Sequence, residues 1–407
     1  MKSVCLYFKV HQPYRLRDYR LHDIDIDHCY EDITADEELI HTMADECYLP
    51  ANKVLLDKLV KHKGNFRLTF SISGLILELL QRYRPDVVAS FQQLANTGQV
   101  EFLAETYYHS LSSLHSLGEF QRQVRLHTQL IESTFGVTPV VFRNTEVIHN
   151  NRIAAIIAGM GYKAILCEGV KDILQGRSPN RLYYPANNRD IALLLRNAAL
   201  SDDIAFRFND TEWNEHPLMA DKFAQWLHNH ADQTEVINLY MDYETFGVHK
   251  HRDSGVLDFL EALPDEVLAH HEFKFATASD AVHEYTPADV YDVNETVSWE
   301  GHPTGSALCW ENVMQNNTLK KIYSIESMVH QAECSNSLET WGRLQAADYF
   351  YYMAEQHTPT HYDRYYYPFA TAQEVFKNYT NLVADFEISL IKKTLHNKRE
   401  NFIPRNV

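Results

Sequence analysis

The sequence predicts an α/β barrel of parallel strands, with a polar site at their C-terminal ends and a set of helices after it. Two observations carry this. Up to about residue 300, short apolar runs alternate with segments of helical periodicity, the order that builds a parallel sheet. Nearly every apolar run also ends in a polar residue: His11, Ser73, His109, Glu146, Glu168, Asn197 and Asp242. An open doubly wound sheet would gather such residues at one switch point. A contribution from nearly every strand fits a closed barrel with its site at the C-terminal face.

The elements follow in order. Val4 to Val10 reads as the first strand, stopped by His11-Gln12-Pro13, and a long acidic connection through Asp23, Asp25, Asp27, Glu31 and Asp32 comes next. Apolar residues at helical spacing predict a helix over 49–60. Phe66 to Ser71 reads as a strand, followed by helices over Leu75–Leu80 and Asp86–Thr97 that Gly98 ends. Further strands are expected at 100–105, 140–146, 164–168, 191–195, 236–242 and 273–277, with helices at 120–135, 153–160 and 220–231 between them. The run Val236 to Asp242 is the most telling, because acids at i and i+2, Asp242 and Glu244, would project from one face of a strand. After residue 300 the pattern changes to three helices, 310–333, 337–356 and 371–398. Asn336 with Glu339 and Thr371 with Glu374 match the capping-box pattern.

Composition narrows the function. The chain has 407 residues, more than one core usually serves, with 45% hydrophobic and 23% charged residues. A net charge of −18 argues against a nucleic-acid partner, which would meet a basic face, and against docking on anionic lipid. Aromatics are plentiful, with 24 Tyr, enough to line a sugar-binding cleft or simply to fill a core. The six cysteines are scattered with no CxxC pair, so neither a zinc ribbon nor a disulfide framework is expected. No run reaches the ~20 apolar residues of a membrane span, and the N-terminus lacks the pattern of a signal peptide. A cytoplasmic protein is the simplest expectation.

The strand ends supply carboxylates and imidazoles, with no nucleophilic serine elbow and no glycine-rich phosphate loop. Despite 22 His, the HExxH arrangement of zinc hydrolases is missing, and no catalytic metal or other cofactor is expected. Two carboxylates without a metal suit glycoside hydrolysis, one attacking the anomeric carbon and the other protonating the leaving oxygen.

His11-Gln12-Pro13, Gly98 to His109, Phe142-Arg143-Asn144-Thr145-Glu146, Asp242-Tyr243-Glu244-Thr245-Phe246-Gly247 and Trp341 to Met353 resemble, in order and spacing, the five conserved regions of glycoside hydrolase family 57. Leu194 to Phe208 is similar to that family's α-amylase-type branch. The resemblance implies a (β/α)7 barrel over 1–300 and a C-terminal helical domain over 301–407 that borders the cleft. It implies a metal-free retaining mechanism on α-glucans, with Glu146 as nucleophile and Asp242 as general acid/base. His11 and His109 would hold sugar hydroxyls; the alternatives are that His11 caps the first strand and that His109 is a buried structural histidine. Glu244 is expected among the substrate contacts, since the family places its acid at the Asp, and Trp310, Trp341 and Asp348 are expected there too. Asp348 lies at helical spacing with Trp341, Leu344 and Tyr352, where a charge without a partner would be costly. Two departures touch the outer contacts: Ala347-Asp348-Tyr349 stands where the family has Ser-Asp-His, and Pro303 to Trp310 lacks the acid that relatives carry near the position of Gly305.

The expected function is therefore cleavage of α-1,4 bonds in maltodextrin, glycogen or starch. A 4-α-glucanotransferase or branching enzyme would share the scaffold. A glucan-binding protein without catalysis, or a metal-dependent deacetylase-like hydrolase, are the rivals of other classes. Oligomeric state and chain-length preference are not legible in the sequence.

Overall fold

The computed structural model describes residues 1–230, 234–299, 312–354 and 369–402, with 397–402 as backbone. The chain divides into two compact units: Met1–Gln12, Glu38–Tyr107 and Gln121–Leu308 form the first, and Pro13–Glu37, Tyr108–Phe120 and Cys309–Val407 the second. The second unit thus draws on three stretches of chain rather than on its last hundred residues alone.

The first unit is a ring of seven parallel strands. β1 (Lys2–Val10) pairs with β2 (Leu68–Ile72), and β2 with β3 (Val100–Phe102). Just past β3, a bridge between Ala104 and Phe142 leads to β4 (Val141–Arg143), which pairs with β5 (Ala164–Glu168). Among the described residues, three further strands of the sheet lie outside the ring: β6 (Leu182–Pro185) beside β7 (Ala192–Arg196), Asp289–Tyr291 beside β6, and Phe273–Phe275 beside the start of β1. β5 pairs with β7, β7 with β8 (Val236–Asp242), and β8 returns to β1. The predicted strand–helix alternation therefore gives the expected barrel.

The ring is uneven for a reason the alternation did not show. β6 runs antiparallel to β7, with Leu182 opposite Leu194. It occupies the flank of β7 that β8 would otherwise extend along, so β7 and β8 meet in register only at Arg196 and Asn238. The Asn238 side chain bridges the gap by donating to the Leu195 carbonyl at 2.9 Å and accepting from the Tyr7 hydroxyl at 2.8 Å.

Alternation along β1 sorts its side chains into two layers. Phe8 faces outward, packing against Phe70, Tyr243 and Phe246. Tyr7 and Lys9 face inward, Tyr7 edge-on to Tyr240. Side-chain caps start several of the following helices. Ser73 caps Gly74–Tyr83, Asn150 caps Asn151–Gly159, Asn197 caps Ala198–Ala205, and Thr277 makes a full capping box with Asp280. Such caps satisfy the orphan amides of a first turn.

In the second unit the described residues form Val313–Ser324, Glu326–Gln331, Ser335–Arg343, Ala347–Tyr351 and Ala372–Phe402. Two of the three predicted helices are thus broken, at Ile325 and between Leu344 and Ala346. In the last turn before the second break, Gly342 lets the Tyr108 ring pack against the helix: a Cβ on it would fall 2.2 Å from that ring. The last helix buries Val375, Tyr379, Leu382, Val383, Phe386 and Leu390, a stripe at helical spacing. The same stripe carries a buried Asp385, which accepts from the Tyr30 hydroxyl (2.5 Å), His28 Nδ1 (2.8 Å) and the Asp25 amide (2.6 Å). Among the described residues, no helix is long and apolar enough to cross a membrane.

Candidate active site

The centre of the barrel mouth is a residue the motifs did not single out. Lys9 is the penultimate residue of β1, and strand register sets it opposite Asp242, the last residue of β8. Its Nζ lies 3.0 Å from Asp242 Oδ1 and 3.8 Å from Glu146 Oε1. Burial pulls the Lys9 ammonium down, but the two carboxylates outweigh it and hold its pKa well above the usual lysine value. For Asp242, enclosure pushes the carboxyl up, and Lys9 followed by His249 outweighs that, leaving it below the ordinary range. The two carboxylates predicted to do the chemistry therefore meet on one ammonium.

Glu146 does not sit on the strand, as expected from its run, but on the turn after it. β4 ends at Arg143, and Thr145–Val147 forms a single tight turn. Glu146 has φ 48° and Val147 φ 53°, left-handed values that cost a β-branched residue such as Val147 most. The segment ending at Trp299 holds the turn in place. His149 and Val297 exchange backbone hydrogen bonds, and the Ser298 hydroxyl donates to the Glu146 carbonyl at 2.6 Å. The Trp299 indole N–H then donates to Glu146 Oε2 at 2.5 Å. Trp299 stacks on Tyr240, with ring centroids 5.0 Å apart, and has Lys9 5.0 Å from its centroid.

Behind this lies a buried ion pair. Arg143 Nη1 donates to Glu105 Oε2 at 3.0 Å, with both side chains fully buried. Ser71 donates to the other Glu105 oxygen, and the Glu105 amide donates to His127 Nδ1, whose Nε2 faces the Ile72 carbonyl. That pattern makes His127 a neutral Nε2–H tautomer, consistent with burial lowering its pKa. Because the strand has ended before Glu146, alternation does not send Arg143 away from it. The guanidinium lies 5.9 Å from the Trp299 ring that holds Glu146. On the other side, Arg196 spans Glu168 and Asp202 and also lies over Trp299, 5.6 Å from its centroid.

A sequence profile of Glycosyl hydrolase family 57 matches residues 5–294. The chain belongs to glycosyl hydrolase family 57. It is 36% identical over 395 residues to a Methanocaldococcus jannaschii protein named "Putative alpha-amylase", covering 93% of this chain and 83% of that one. Among solved structures it resembles the family 57 branching enzyme of Thermococcus kodakaraensis, at TM-score 0.68 and 14% identity, covering 99% of this chain and 94% of that one. It also resembles the 4-alpha-glucanotransferase of Thermococcus litoralis, at TM-score 0.60 and 13% identity, covering 86% of this chain. The chain spans 56% of that protein. At such identities the structural likeness speaks for the fold alone.

Other expected site residues of this family 57 chain are placed as follows. Glu244 does not share a strand face with Asp242, because β8 stops at Asp242 and Tyr243–Thr245 is a separate turn. Its carboxylate turns outward, where Tyr48 donates to Oε1 at 2.5 Å. Burial, then the Asp242 charge, pushes its pKa up to about 7. Gly247 closes this turn at φ 134°, where a Cβ would fall 2.0 Å from the Glu46 carbonyl, so only glycine fits. His11 is buried and its Nδ1 lies 2.7 Å from Ser73 Oγ.

In the helical unit, His109 is buried at φ 50°, and its carbonyl accepts from the Ala347 amide. Asp348 is partly buried in Ala347–Tyr351. Trp341 is fully buried, and its indole N–H donates to the Ile322 carbonyl at 2.8 Å, so it presents no surface to a sugar. Trp310 and Gly305 lie outside the described residues. Sequence reasoning missed Lys9, Trp299 and Tyr240. The available signal for Lys9 was a lone cation in an apolar strand beside the first motif.

Proposed function

We propose that this chain is a retaining hydrolase of α-1,4-glucosidic bonds in α-glucans such as maltodextrin, glycogen or starch, with Glu146 as nucleophile and Asp242 as general acid/base. The observation that carries the reading is the convergence of both carboxylates on Lys9 at the mouth of the barrel. Their two Lys9-facing oxygens can be no further apart than those distances laid end to end. Such a separation is compatible with the ~5–5.5 Å of a retaining pair, and the stereochemistry of the product decides between that and the ~6.5–9.5 Å of an inverting one. The amylase name of the Methanocaldococcus jannaschii relative supports the choice of substrate.

In the first step the Glu146 carboxylate, oriented by the Trp299 N–H, attacks the anomeric carbon. The glycosidic C–O bond breaks and Asp242 delivers its proton to the leaving oxygen. In the second, Asp242 takes a proton from water, and the resulting hydroxide displaces Glu146. The resting ion pair with Lys9 suits the second role. For the first, Asp242 must take up a proton against Lys9, so turnover should favour acid pH. Glu244, with its raised pKa, looks the better acid by titration alone. Geometry takes precedence, and its carboxyl faces Tyr48 in the outer layer.

Whether water or a sugar hydroxyl resolves the glycosyl-enzyme separates a hydrolase from a transferase. Maltoheptaose should yield new reducing ends, with the α-anomer first by NMR. Longer oligosaccharides without new reducing ends would make it a transferase, and a β-anomer first would overturn retention. The Lys9 ion pairs also favour a second reading, a glucan-binding protein whose acids are locked by a cation. Tight glucan binding with no turnover from acid to neutral pH would establish it.

A further inference from the structure

At the end of the barrel opposite the carboxylates, His228, His270 and Glu272 come together with ligand atoms all within 4.8 Å of one another. His228 lies in the last turn of helix Ala220–Asn229, His270 caps the C-terminus of helix Val256–Ala269, and Glu272 immediately precedes the strand Phe273–Phe275. That strand pairs with Lys2–Val4, the start of β1. We infer that these three side chains form a structural site for a divalent transition-metal ion, with Zn2+ the best match, which staples two helix ends to the start of the barrel.

Three independent features point the same way. The donor set is two imidazole nitrogens and one carboxylate oxygen, which suits zinc and its neighbours rather than calcium or magnesium. The two imidazole centroids are 5.0 Å apart. With a zinc–nitrogen bond of about 2.0–2.1 Å and tetrahedral angles, two imidazoles on one ion place their centroids roughly 5 Å apart. Finally, both histidines sit at helix C-termini, where the macrodipoles present negative charge to a cation. His228 already contacts Glu272 through Nδ1, so one pair of ligands is assembled before the ion arrives. Partial exposure of His228 and Glu272, 44% and 36% of their side chains, leaves an entry path and room for water as the remaining ligand.

The test uses the untagged full chain, stripped with a chelator and titrated with Co2+ and Zn2+. Cobalt should give the visible absorption of a tetrahedral site, calorimetry one zinc per chain, and zinc should raise the Tm by a few degrees through mass action. Glu272→Gln, which keeps a hydrogen-bonding group beside His228, and His270→Ala should each weaken zinc binding at least tenfold. A His230→Ala/His271→Ala double variant, which removes the adjacent histidines outside the cluster, should bind zinc as the parent does. Absent cobalt absorption and an unmoved Tm would reduce the trio to a hydrogen-bonded surface pair with a stacked neighbour. Unchanged affinity in both ligand variants would overturn the assignment equally.

Discussion

Two strand ends of the barrel look alike in sequence and are built differently. β4 and β8 both run into an acid, and both pass at once into a tight turn. At β8 the acid on the strand's last residue, Asp242, enters the site, while the acid within the turn, Glu244, is buried against Tyr48. At β4 the last strand residue, Arg143, is committed to Glu105, and the acid within the turn, Glu146, enters the site on a left-handed backbone. The lesson is that a side chain's direction at a strand end is set by where the ladder stops and what pins the turn. The i, i+2 rule holds only while the strand lasts.

The sharpest way to break this comparison is to exchange the roles of its acids. Glu146→Ala should lower activity on α-glucans by at least about 10⁴-fold. With an activated aryl α-glycoside, azide should then occupy the vacated space and yield the inverted β-glycosyl azide. Asp242→Ala should lose less on that substrate, and azide should restore turnover with the retained α-glycosyl azide. Azide products of the opposite configuration in the two variants would mean the two roles are exchanged. Glu244→Gln should show no azide rescue; rescue there would make Glu244 the acid.

The next effect tests the cation behind β4. Arg143→Met leaves the Glu105 carboxylate buried without its partner, which should cost ~3–5 kcal/mol of stability in urea denaturation. Adding Glu105→Gln should recover much of that loss. Full stability in the single variant would show that the pair does not carry a buried charge.

Glu244 tests the buried side of the β8 turn. Its folded pKa, about 7, lies above the ordinary 4.5. A raised pKa means its contribution is intact below about pH 4.5 and is lost as pH rises through about 7. Glu244→Gln removes this loss, so the variant should be more stable than the parent above pH 7, by roughly 3 kcal/mol at most. Parallel stability–pH curves would place the Glu244 carboxyl in water.

The smallest expected effect concerns Lys9. Lys9→Met removes the charge that depresses Asp242, while enclosure and Glu146 continue to push that carboxyl up. The protonated acid should then persist to higher pH, moving the alkaline limb of kcat/KM upward. An unmoved limb would show that Lys9 leaves Asp242 before proton transfer.

What the sequence by itself determined is what local periodicity and motif resemblance can encode. Alternating apolar runs and helical spacings specify strands, helices and a parallel barrel, acids at the ends of such runs offer Glu146, Glu168 and Asp242, and the resemblance to glycoside hydrolase family 57 singles out Glu146 and Asp242 among them. What only the tertiary structure decided depends on contacts between residues far apart in the chain. Lys9 faces Asp242 because β1 and β8 pair in one particular register. β6 turns antiparallel and takes up the flank of β7. Trp299 reaches back from a later segment to pin the Glu146 turn, and Trp341 is drawn into a core instead of a cleft. Periodicity fixes which way a side chain points relative to its own strand. Register and backbone handedness, set by long-range pairing and packing, decide what it meets there.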